Sequence, residues 1–491
     1  MIRTLRRIGL ALLAITIVAV PAAAQSDELS GVGDSLYPLL GNAGYDVQHY
    51  DIALWTPVTE NTIDAMTTIE AIATQNLERF HLDLNGLTVD RVVVNGAAAE
   101  FVRDGRELVI TPASSIANGQ SFIVEIAYHG VPRSTIEPSI GATLGWNYNG
   151  GDIYVVSEPN GAQTWFPAND HPSDKATFTL RITVPSGLVV AANGVLTDVT
   201  EGDDETATFT FEMRQPMATY LATVNIDDFR LVESESEGGV PIRNYVPAQF
   251  DALESRTFGR QGEMIDFFSE LYGPYPFDVY GAVVVDAPIG FALETQTLSL
   301  FGISALMAGP ASENVVAHEL AHQWFGNSVA LADWSDIWLN EGFATYSEWL
   351  WLEYSEGPDA LDAAVRQAYA FMSGEAFIEY GFSPAQITAS LREFGVPGSP
   401  DGANLFNASV YLRGGLTLHA LRLSLGDDLF FNFIRAYADR FRNANVTTDD
   451  LMALVSEMAG RSYDKFFEEW LEASIIPSIP QMELAPPVIA G

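Results

Sequence analysis

The chain has 491 residues, 64 of them acidic against 24 basic, for a formal net charge of −40, and it contains no cysteine. Without cysteine there is no disulfide, no thiolate metal site and no cysteine nucleophile, so a metal would have to be held by histidine and carboxylate. Phosphate recognition needs a basic footprint, so nucleic acid is not an expected partner, and the acidity reads as a solvated surface.

The elements follow in chain order. Arg3, Arg6 and Arg7 precede an apolar run from Ile8 to Val20, then Pro21, Ala22, Ala23 and Ala24. This is the layout of a secretory signal peptide over 1–24, with cleavage expected after Ala24 and the mature chain periplasmic or extracellular. The run is shorter than the ~20 residues that span a bilayer, and no later segment is long and apolar enough, so no transmembrane anchor is expected. From Tyr45 to Val232 short β-type runs such as "YDVQHYDIALWT", "RFHLDLNG" and "SFIVEIAYHG" alternate with Gly, Asn and Asp signals, which predicts a β domain over 25–238. The acidic stretches "EGDDE" and "ESESEGG" read as hairpin tips or linkers.

After Pro241 the spacing becomes helical, in "VVAHELAHQWFG", "NEGFATYSEWLWLEY", "PDALDAAVRQAYAFM" and "DDLFFNFIRAYADRFR". A mainly helical domain is predicted over 239–480, followed by a tail over 481–491. One β-like exception, "YGAVVVDAPIGFALETQTLSLFG", lies just upstream of the histidine pair.

His318 and His322 are four residues apart, so on a helix they project from one face and can share an ion. Ser312 is the expected N-cap, Glu313 suits the first turn and Gly326 the C-terminal end. Glu319 stands where it could reach water on the metal without being a ligand, and H-E-x-x-H is the zinc metallopeptidase spacing. Glu341, nineteen residues after His322, falls in a second predicted helix ending at Gly357 and Pro358 and supplies a third donor. Two histidines and one carboxylate leave a fourth tetrahedral position open, which is how catalytic zinc is held, at one Zn²⁺ per chain.

"HELAH" followed by "WLNEGFATYSEW" at this spacing resembles the gluzincin aminopeptidases, the family of aminopeptidase N. The likeness continues through "SEPNGAQTWFPANDHPSDKATFTLRI", "VYLRGGLTLHALR" and "FFEEWLEASIIPSIP". It implies an α+β multidomain fold: a saddle-like antiparallel β domain, then a mainly helical thermolysin-like zinc domain, in a short form without the large C-terminal helical domain. It also implies Tyr411 as the catalytic tyrosine, and Glu158 and Glu294 as carboxylates for the substrate amine, with Ala292 and Leu293 beside them. The family's G-x-M-E-N is replaced here by Phe291-Ala292-Leu293-Glu294-Thr295, with Gly290 one place early.

The expected function is a secreted zinc aminopeptidase acting on peptides with a free amino terminus, with Glu319 as general base and Tyr411 stabilising the oxyanion. Its rivals are a zinc endopeptidase on the same ligands, which needs no amine anchors, a metal-retaining but non-catalytic peptide-binding protein, and an epoxide hydrolase of the kind found in one branch of the family. His419 is expected to be packed in its helix and His171 to serve a structural turn, while His49, His81 and His129 receive no role.

Overall fold

The computed structural model describes residues 30–487 apart from 139, 140, 204 and 288, so the segment read as a signal peptide lies outside the described residues. The N-terminal half is built on a large sheet in which Tyr45–Trp55, Ile63–Ala73, Ser121–Gly130, Ala176–Pro185 and Thr206–Met217 are the long strands. Their alternation is what makes them strands with one buried face: along Tyr45–Trp55 the residues Tyr45, Val47, Tyr50, Ile52 and Leu54 are buried. Tyr50 stacks on Phe178 of the neighbouring strand at 4.8 Å between ring centroids. Pairing in this sheet is antiparallel except between Tyr45–Trp55 and Ala176–Pro185, which run parallel. A second sheet of five strands includes Asp152–Val156 and delivers Glu158 just beyond its end.

A third sheet joins the two halves of the chain. It runs in the order Phe229–Glu235, Pro241–Pro247, Tyr280–Val285, Ser299–Gly302 and Ala292–Leu293. The acidic stretch "ESESEGG" is therefore the end of one strand and the turn of a hairpin, and the expected domain boundary at 238 falls inside that turn. The sheet that delivers Glu294 draws one strand from ahead of the boundary.

Helices fill the remainder. Trp338–Glu356 is buried on every side from Trp338 to Ser347, which marks it as the central helix of the domain. It lies against Glu313–Ala321, Pro358–Ser373 and Gly414–Leu425. Gly342 and Gly414 meet where two of these helices cross, and a Cβ on Gly342 would lie 2.9 Å from the Gly414 backbone. That contact lets the chain before Gly414 reach the site. The segment near the start of the described chain ties the halves together: Asp34 accepts from the Trp334 N–H at 2.8 Å and lies 3.0 Å from His171 Nε2. Burial raises the Asp34 carboxyl, but His171 and three backbone N–H groups outweigh it and hold it low. Among the described residues no helix is long and apolar enough to cross a membrane.

Candidate active site

His318 and Glu319 sit on helix Glu313–Ala321, and His322 is its C-terminal cap residue. The helix starts where expected, with Ser312 at its N-cap and Glu313 in its first turn, but without a side-chain cap bond, and its expected C-terminal end needs correction. The Ser312 hydroxyl donates instead to the Ala305 carbonyl at 3.0 Å, because a 3₁₀ turn over Gly309–Ser312 already leads the chain in. Gly326 lies four residues past His322, at φ 120°, where a side chain would crowd the His322 ring and Asn340. The His322 N–H still donates to the His318 carbonyl at 3.2 Å, so the i, i+4 relation survives and the rings lie 4.8 Å apart.

Glu341 enters from the first turn of Trp338–Glu356. Its Oε2 is 3.2 Å from His318 Nε2 and 3.6 Å from His322 Nε2, and one donor atom from each of the three lies within 4.8 Å of the others. The outer nitrogens are occupied: His318 Nδ1 is 2.7 Å from Glu348 Oε1, and His322 Nδ1 donates to the Phe325 carbonyl at 3.0 Å. Such bonds fix ring orientation and turn each Nε2 inward. Imidazole and carboxylate donors around an open position suit Zn²⁺.

All the residues expected at the site line one cavity of about 280 Å³. Its charge balance is unusual. Burial would raise Glu341, but the two imidazoles outweigh it and hold the carboxyl at about 2. Burial raises Glu319 to about 8, with the imidazoles opposing. Glu158 is pushed well above the carboxylate range, first by burial and then by Glu294, and Glu294 is raised by burial against the pull of His322. Among the described residues, each of these two has an oxygen, Oε1, with no hydrogen-bond partner although the side chains are only 5% and 2% exposed. Buried carboxyl groups without partners are costly, and more so when ionised, which is why both are raised.

Tyr411 belongs to a π-helical turn over Ser409–Arg413 that precedes Gly414–Leu425. The turn is pinned by the Arg413 guanidinium, which donates to the carbonyls of Trp470, Glu469 and Ala473. It brings the tyrosine ring over His318 at 6.0 Å between centroids, nearly parallel. Burial and the nearby carboxylates, Glu341 foremost, push the phenol up, so it stays a proton donor at neutral pH. His419 is buried near Tyr346 and pushed down to about 4 by burial.

Glu348 was absent from the sequence reading. It lies seven residues after Glu341, two turns on along the same face of one helix, and that spacing could have revealed it. Phe291, Val315 and Phe406, also missed, form apolar walls of the cavity.

Two family descriptions match the chain: the Peptidase M1 N-terminal domain over residues 46–221 and the Peptidase family M1 domain over residues 256–470. Aminopeptidase N of Canis lupus familiaris is 32% identical over 308 residues, 59% of this chain and 31% of its own length. A probable aminopeptidase 1 of Saccharolobus solfataricus is 26% identical over 82% of this chain and 50% of its own. The chain thus spans between about a third and a half of these relatives. Among solved structures, an M1 zinc metallopeptidase mutant from Deinococcus radiodurans bound to a Tyr-Ser-Ala substrate is 34% identical, with a TM-score of 0.81 over 92% of this chain and 99% of that one. The donor set His318, His322 and Glu341 accommodates the one zinc ion that such metallopeptidases carry. The β-rich half followed by a helical half bearing these donors places the chain in peptidase family M1, among the relatives of aminopeptidase N.

Proposed function

We propose that this chain is a secreted zinc aminopeptidase that removes residues from the amino terminus of peptides. One observation carries the reading: the cavity that holds the metal donors also holds Glu158 and Glu294, two buried carboxylates each with an oxygen lacking a partner. A substrate ammonium supplies both the charge and the donors they lack. Pairing it there sets the register of the peptide, so that the first peptide bond is the one presented for cleavage. Ala292 and Leu293, with Phe291, give the first side chain an apolar wall.

Zinc, when bound, supplies Lewis acidity for the scissile carbonyl and for water. Glu319 takes the proton of the attacking water and hands it to the departing amine, and a neighbouring dication favours its ionised form. Tyr411 donates to the oxygen on which negative charge develops. The relatives support the same reading: one is an aminopeptidase N, and another is an M1 zinc metallopeptidase with a tripeptide substrate bound. Export is supported by the basic, then apolar, then small-residue order over Arg3 to Ala24. A panel of aminoacyl fluorogenic substrates tests the proposal. Hydrolysis that disappears with a chelator is expected, and failure to cut any member of a full panel with zinc bound would overturn it.

A further inference from the structure

The carbonyl of Glu294 is held twice by the segment that follows the metal motif. Gln323 Nε2 donates to it at 3.1 Å and Asn327 Nδ2 at 2.7 Å. Gln323 Oε1 also accepts from the Thr297 N–H at 2.9 Å. Thr297 has φ 67°, a left-handed conformation that a β-branched residue adopts only under constraint. From the N-terminal half, the Gly194 N–H donates to Thr297 Oγ1 and Asn193 Nδ2 to the Gln296 carbonyl, both at 2.8 Å. Asn327 is itself tied down, since Lys175 Nζ donates to the carbonyls of Asn327 and Ser328 at 2.8 Å each. Glu294, Gln296, Thr297, Gln323 and Asn327 are all buried.

Strand Ala292–Leu293 is two residues long and lies at the edge of its sheet, paired among the described residues only with Ser299–Gly302. So short an edge strand fixes Glu294 poorly by itself, and a binding group needs placement within about 0.5 Å. We infer that Asn327 and Gln323 are positioning residues that lock the Glu294 turn to the end of the metal-motif helix, so that one rigid segment sets the distance between amine anchor and metal donors. The inference rests on the amine-anchor reading above. Removing one donor leaves the buried Glu294 carbonyl half-served, and about tenfold of the free-amine preference should go with it.

The test is a double-mutant cycle on Asn327→Ala and Glu294→Ala in the zinc-loaded enzyme, assayed with a tripeptide and its N-acetylated form. Asn327→Ala is expected to lower kcat/KM for the free-amine peptide about tenfold, mostly through KM, with zinc still near one per chain and the acetylated peptide little affected. In the Glu294→Ala background the same change should leave the ratio of the two substrates where it was. Asn327→Leu and Gln323→Met, which roughly keep the volume and carry no donor, should show the same selective loss and keep the test open where Asn327→Ala folds poorly. Equal losses on both peptides, or the same loss with and without Glu294, would mean a merely structural role and overturn the inference. A wild-type enzyme that discriminates while every clamp variant keeps the full ratio overturns the clamp alone. A wild-type enzyme that does not discriminate overturns the anchor reading and the clamp together.

Discussion

The two ends of the cavity are built on opposite principles. At the metal end the polar groups are served from within: both outer imidazole nitrogens are bonded, and Glu341 lies against both inner ones. At the amine end Glu158 and Glu294 are equally buried yet keep oxygens without partners. On the proposed function, the difference separates a site shaped for a resident ion from one shaped for a ligand that comes and goes. A resident ion needs donors preorganised by a supporting shell. A transient ammonium binds usefully where its removal leaves buried acceptors unpartnered, because a cationic donor both fills them and draws these raised carboxyls into their ionised form, which a neutral amide does not do.

The metal end should break first and furthest. Prolonged chelation is expected to reduce peptidase activity to background and to lower Tm, with both restored by zinc, since a ligand bound only by the folded state stabilises it. Elemental analysis alongside calorimetry checks this, and activity that persists in metal-free protein would contradict it. Next comes Glu319→Gln, which removes a base and no donor of the set. It should lower kcat by about 10²-fold or more while zinc stays at one per chain. Loss of zinc in that variant would show that Glu319 belongs to the metal set instead.

Two smaller changes sharpen the contrast. Tyr411→Phe should reduce kcat by about 10²-fold with a smaller effect on KM, because the hydroxyl matters once negative charge develops. Steady-state kinetics with near-normal turnover would move that role to another residue. Glu348→Ala should weaken zinc affinity about 10- to 100-fold by freeing the His318 ring, with the fully loaded enzyme affected least. Competition with a chelator of known affinity reads it directly.

What the sequence revealed and what it hid follow the range of the interactions. The histidine pair was legible because a helix places i and i+4 on one face, and Glu341 because a predicted second helix put it within reach. The long strands were legible through their alternation, as along Tyr45–Trp55. The π-helical turn that aims Tyr411 was not, because one extra residue per turn over Ser409–Arg413 leaves no mark on a 3.6-residue pattern. Nor was the end of the motif helix, where tight turns run on from His322 toward a glycine four residues later. The hold of Gln323 and Asn327 on Glu294 joins residues 29 and 33 positions apart, so no local signal carries it.

The central claim is that Glu158 and Glu294 make this an enzyme of peptide ends, and N-acetylation of one peptide tests it most directly. The acetyl group removes the charge and two of the donors, leaving both carboxylates buried against a neutral amide. With wild-type enzyme and matched free and acetylated tripeptides, kcat/KM is predicted to fall on the order of 10²- to 10⁴-fold on acetylation. Equal cleavage of the two peptides would contradict the account and leave an endopeptidase on the same metal donors in its place.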